Sequence, residues 1–127
     1  MNNSVSEKHG SIKISDDVII ACAEQAVLKT PGIAALSGKY ADFIPKNLPG
    51  KESLYKGVRL SREEEGIILD LFVSVKYGIN IPAACWDLQE NVKKEVTTLT
   101  GEKVLAINVN IQGVQLPTDA EEENTRD

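Results

Sequence analysis

One stretch, Gly66 to Gly113, restricts the possible folds of this chain more than any other. Ile67, Leu69, Leu71, Val73, Val75 and Tyr77 occupy alternate positions. Successive side chains of a strand point to opposite faces, so this spacing predicts a long half-buried strand with those residues inward. Gly78-Ile79-Asn80-Ile81-Pro82 reads as a turn into a helix, with Asn80 as the cap and Pro82 in a first turn where its missing N–H costs nothing. Ile81, Cys85, Leu88, Val92, Val96 and Leu99 recur at steps of three and four, the apolar stripe of a helix that stops at Thr100-Gly101. A second long strand follows, with Leu105, Ile107, Val109 and Ile111 on one face and Ala106, Asn108, Asn110 and Gln112 on the other. The helix must pack across those two strands.

The flanks add a second helix and a hairpin. Ser11 to Ile14 reads as a short strand with Ile12 and Ile14 inward. Ser15 is a good N-cap residue, and Asp16 and Asp17 place negative charge where a helix N-terminus favours it. That helix is expected from about Asp16 to Thr30, burying Ile19, Cys22, Ala23, Ala26, Val27 and Thr30, and ending at Pro31-Gly32. Ile33 to Leu36 is a brief edge strand, and Gly57 to Ser61 a strand with Val58 and Leu60 inward. Arg62-Glu63-Glu64-Glu65-Gly66 turns it into the long strand. The order predicts an α+β fold: a small, largely antiparallel sheet with two helices packed on one face. The other face would carry Arg59, Asp70, Ser74, Lys76, Asn108, Asn110 and Gln112 toward water, interrupted by an apolar patch of Ile68 and Phe72.

Length allows one domain, placed at residues 10–116 between a loose N-terminus, 1–9, and an acidic tail, 117–127, expected to be disordered. Asp119, Glu121, Glu122, Glu123 and Asp127 against Arg126 account for most of the net charge of −5. Lys39, Lys46, Lys51, Lys56, Arg59 and Arg62 cluster in a stretch whose acids are Asp42 and Glu52. Residues 37–56 form a connection of about twenty residues, long for a compact domain. Two readings of it stay open. Tyr40, Phe43, Ile44 and Leu48 plug a gap in the core, or the aromatics among lysines form a contact surface for a partner protein or an anionic surface.

Little in the sequence points to a reaction. No nucleophile stands beside a base, and His9, the only histidine, sits in the N-terminal stretch. Adjacent Asp16 and Asp17 have an adequate structural role, and Glu63, Glu64 and Glu65 read as a solvated turn rather than a metal site. Gly50-Lys51 looks like a fragment of a phosphate loop, but Pro45 and Glu52 stand where the motif needs glycine and Ser/Thr. No metal or cofactor is expected. Cys22 and Cys85 read as reduced core thiols, with a disulfide between the two helices as the alternative. Negative net charge and the lack of an aromatic stacking strand argue against nucleic acid. No secretory signal, membrane span or lipidation motif is visible, so a cytoplasmic protein is expected.

Several motifs in order also carry a resemblance. Gly10-Ser11-Ile12-Lys13-Ile14-Ser15, Pro31-Gly32-Ile33, Lys56-Gly57-Val58, Tyr77-Gly78-Ile79-Asn80-Ile81, Gln89-Glu90-Asn91-Val92, Thr100-Gly101 and Ile107 to Val114 together resemble the alkaline shock protein family, envelope-stress proteins of Gram-positive bacteria. The resemblance covers roughly residues 10–116 and brings no catalytic residues. It implies a non-catalytic scaffold that self-associates and gathers beneath the membrane through a membrane-anchored partner, without inserting itself. A regulator of fatty-acid synthesis from the same family is the alternative, and an RNA-binding module a weaker one. The interaction residues expected on this reading are Ile68, Phe72, Asn108 and Asn110 on the sheet, and Tyr40, Phe43, Lys39, Lys46 and Lys51 in the long connection.

Overall fold

The computed structural model describes residues 9–37 and 52–117, with the backbone alone at 52–54. Tyr40, Phe43, Lys39, Lys46, Lys51, the first residues and the acidic tail lie outside the described residues. The elements in order are α1 (Asp16–Lys29), β1 (Ile33–Leu36), β2 (Glu52–Tyr55), β3 (Val58–Arg62), β4 (Ile67–Lys76), α2 (Ile81–Thr100) and β5 (Val104–Gln115). The fold is α+β, a five-stranded sheet with both helices over one face.

β4 is the centre of the sheet, and each of its edges is used differently. On one edge β3 pairs antiparallel with Ile67–Leu71, and β1 pairs antiparallel with Val73–Val75. The exchange between them falls on Phe72: its N–H donates to Gly57 O at 2.8 Å, and its C=O accepts from Ser37 N–H at 2.7 Å. Gly57 sits at φ +82, and a Cβ there would lie 2.6 Å from Ser37 O and 3.0 Å from Phe72 O. Only glycine admits three backbones so close. On the other edge β5 runs parallel to β4 along its whole length, joined through α2, since a parallel pair needs a crossover of helix length.

The inward alternation of the long strand is observed. Ile67, Leu69, Leu71, Val73 and Val75 are buried and meet Ile19, Ile20, Ala23 and Val27 of α1 and Leu88, Val92 and Val96 of α2 in one core cluster. Asn80 caps α2 as expected, its Oδ1 accepting from Ala83 N–H at 3.0 Å.

Several expectations need correction. Tyr77 is 66% exposed, because β4 ends at Lys76 before the chain turns away. Ser11 to Ile14 is not a strand; Ile12 is exposed, and only Ile14 packs on the core. The long connection contains a strand, β2, which pairs with β3 through a turn at Lys56-Gly57. In α2 the buried residues are Ala84, Leu88, Val92, Val96 and Thr100, a strict step of four, whereas Ile81 and Leu99 are exposed. A step of four overshoots the 3.6-residue helical turn and winds round the helix, so apolar residues at either end leave the stripe. Register shifts opposite Ile67/Ile68 and Val73/Ser74 interrupt the alternation of β5, and Leu105 and Ile111 are left exposed.

Candidate interaction surfaces

The far face of the sheet is less open than its alternation suggests. Arg59 on β3 and Asp70 on β4 are directly opposite in register, as are Asp70 and Asn108 on β5. Arg59 Nε and Nη2 each lie 3.1 Å from Asp70 Oδ2, and Asn108 Nδ2 donates to Asp70 Oδ1 at 2.8 Å. Both oxygens of a buried carboxylate are therefore engaged, which offsets its desolvation. Asn110 Nδ2 donates to Leu71 O at 3.2 Å. Phe72 is only 7% exposed, and Ile68 is half-buried, so the expected solvent-facing patch is largely covered.

At the opposite end Arg62 ties β3 to the start of α1 and to the α2–β5 connection. Its Nη2 and Nε donate to Asp16 Oδ1 at 2.6 and 2.9 Å, and Nη1 lies 3.7 Å from the buried Glu102. Asp16 is thus held by the β3 end as well as standing at the start of α1. The Ser15 side chain makes no cap; its carbonyl accepts from Val18 and Ile19 instead. The sheet lies between Asp16 and Asp70, so these carboxylates do not converge.

The outer side of the helix pair carries two adjoining cavities of about 380 and 580 Å³, which share Lys29, Glu95 and Leu99. Lys29 Nζ is 3.6 Å from Glu95 Oε1, and Asn91 Nδ2 donates to Thr30 Oγ1 at 3.1 Å, cross-linking α1 to α2. Cys22 lines the larger cavity; burial and then the Glu95 carboxylate push its thiol above the ordinary range. Burial does the same to Cys85. Both thiols are free. A raised thiol is a poor nucleophile at neutral pH, so neither cysteine is poised for chemistry. Among the described residues no group of three or more side chains could hold a metal ion.

The third surface is the outer edge of β5 with the α2 row beside it. Gln89 Nε2 donates to Ile107 O at 2.9 Å, which fixes that row against the strand. Trp86 lies one turn earlier on the same side and is 64% exposed; Ile111 and Val114 are exposed along the strand, and Leu116 just beyond its end. Tight spacing of apolar residues marked the core but not this edge, because β5 alternation predicted Ile111 inward and gave Trp86 no partner.

Residues 4–116 match the family of alkaline shock protein 23, described by a cell envelope-related function. The chain belongs to this alkaline shock family. It is 30% identical to Bacillus subtilis YqhY over 113 residues, which cover 89% of this chain and 83% of YqhY. To YloU of the same organism it is 31% identical over 118 residues, covering 91% of this chain and 98% of YloU. A MamM-CTD variant of known structure is similar over 80% of this chain at 11% identity, with a TM-score of 0.49, too slight a likeness to argue from. Within the alkaline shock family frame, the motif residues have structural roles here. Asn80 caps α2, Gln89 holds β5, Asn91 holds α1, and Asn108 and Asn110 lock β5 to β4.

Proposed function

We propose that this protein is a non-catalytic scaffold of the cell envelope, acting by binding copies of itself and a membrane-anchored partner. The observation that supports the reading is how its side chains are spent. Arg59, Arg62, Asp16, Asp70, Gln89, Asn91, Asn108 and Asn110 all hold one element of the fold to another. Chemistry needs convergent polar groups with free donors or acceptors, whereas these groups are occupied in structural pairs. The surface instead offers large apolar side chains, Trp86 and Tyr77 foremost, the residue types that anchor protein contacts. No helix among the described residues is long and apolar enough to cross a membrane; on this reading attachment runs through a partner.

Fractionation of cells carrying the tagged protein tests this. The protein is expected in the envelope fraction, released by high salt or alkaline carbonate, and larger than one chain after release. A wholly cytosolic monomer would contradict the proposal. Changing Lys39, Lys46 and Lys51 to Glu asks whether the basic stretch directs recruitment; loss of envelope partition with an unchanged melting curve is expected.

A further inference from the structure

The pairing of β4 determines which backbone groups of β5 are left over. Phe72 sends its N–H and C=O toward Gly57 and Ser37, so the odd-numbered residues of β4 face β5. Ile67 N–H donates to Lys103 O at 2.8 Å and Tyr77 N–H to Gln115 O at 3.0 Å, in the same phase. In a parallel ladder a residue bonds the neighbours of the residue opposite it. Leu69, Leu71 and Val73 stand opposite Ile107, Val109 and Ile111, and so engage Ala106, Asn108, Asn110 and Gln112. The N–H and C=O groups of Ile107, Val109 and Ile111 therefore point out of the sheet. Gln89 occupies Ile107 O. Among the described residues nothing bonds the outward groups of Val109 and Ile111.

An open edge is ordinarily blunted by lysines, a proline or a short strand. β5 has none of these devices: it is twelve residues long, and Val104 to Gln115 contains no charged side chain and no proline. In a chain of net charge −5, this strip is neutral, so two copies of it do not repel. We infer that β5 pairs antiparallel with β5 of a second copy about a two-fold axis, joining two sheets edge to edge, with Trp86 of each copy packing beside the joined strands. This rests on the self-associating scaffold reading and names its contact.

The size is adequate. A strand of this length runs about 40 Å, and sheet plus overlying helix present an edge about 20 Å high, roughly 800 Å² per copy, which is the standard share of a stable interface. A single type of edge is self-complementary under a two-fold, and neither half must supply charge to match the other.

Sedimentation velocity and hydrogen exchange over about 1–100 μM protein test the inference. Ile111→Pro removes an outward N–H and leaves the β4 ladder intact, while Trp86→Lys puts charge beside the edge without touching the sheet. Leu28→Lys, on the exposed side of α1, is the control. The native chain and the control are expected to dimerise, with amides of Val109 and Ile111 exchanging more slowly as dimer forms. Each edge variant is expected to raise the half-dimerisation concentration about tenfold or more; Trp86→Lys decides the matter should Ile111→Pro unfold. Folded edge variants that dimerise like the native chain would overturn the β5 contact and leave the scaffold reading standing. A native chain that stays monomeric, yet reaches the envelope in an edge-dependent way, would overturn self-pairing and give the edge to a strand of another protein. Monomer together with edge-independent partition would overturn it as well.

Discussion

Gly57→Ala is the most demanding test of the fold, because two separable costs meet at one residue. The first is conformational: an L-residue held in the left-handed region costs about 1–2 kcal/mol, and Gly57 sits at φ +82. The second is steric. The new methyl would lie 2.6 Å from Ser37 O, 3.1 Å from Ser37 N and 3.0 Å from Phe72 O, all of them backbone atoms with no rotamer to swing away. Relief requires β1 and β3 to part around Phe72, stretching the 2.7 and 2.8 Å hydrogen bonds that meet there. Each such bond contributes about 0.5–1.5 kcal/mol, so the steric part adds roughly 1–3 kcal/mol. Gly78→Ala supplies the reference, since Gly78 is at φ +94 with nothing within 4 Å of the added carbon. Urea unfolding of both variants should show Gly78→Ala losing about 1–2 kcal/mol and Gly57→Ala about 2–5 kcal/mol, with unchanged m-values. Equal losses would refute the argument, since they would mean that the three backbones do not meet as described.

Leu88→Ala should lose about 2–5 kcal/mol in the same assay, because Leu88 is fully buried at the centre of the helix–sheet core; a loss under about 0.5 kcal/mol would place the wrong face inward. Arg59→Ala should destabilise by roughly 1–3 kcal/mol, leaving the buried Asp70 carboxylate with Asn108 as its one remaining side-chain donor among the described residues, and Asp70→Asn in that background should recover part of the loss in thermal melts. Cys22 and Cys85 should react with iodoacetamide more slowly than a free thiol at pH 7, and their rate should keep rising at pH values where an ordinary thiol has levelled off, because burial raises both; a plateau at the ordinary thiol pKa would contradict this. Phe72→Asp should unfold the domain before it alters any assembly, since Phe72 is buried and the new carboxylate would be desolvated, which circular dichroism at low temperature would reveal.

The sequence exposed the parts of the fold that obey one period and concealed those where two constraints compete. Ile67 through Val75 alternate without a break because β4 is covered on its helix face along its length, and Asn80 announces α2 by chemistry that depends on local geometry alone. Tyr77 continued the alternation in letters only, since the strand had already ended. Leu99 and Ile81 fit a helical wheel, but α2 meets both the sheet and α1, and the row it buries is the one that winds between them. β2 gave no signal: Glu52 to Tyr55 is four residues of mixed character, paired only because the Lys56-Gly57 turn returns the chain along β3. The site was legible in part. Asn108 and Asn110 read from the sequence as interaction residues, and their amides are turned to Asp70 and Leu71 within the fold. The β5 edge was missed, because edges belong to pairing, and strand order cannot be read from composition.

The meeting of Ser37, Gly57 and Phe72 has a topological consequence. Both ends of the segment between β1 and the β2–β3 turn are pinned to a single residue of β4, so its ends are already closed on each other whatever its length. The loop-closure entropy of lengthening such a segment is about 0.6 kcal/mol for each doubling. The part of that stretch ahead of β2 can therefore change in length and chemistry, while β2 stays paired with β3 and the sheet keeps its register.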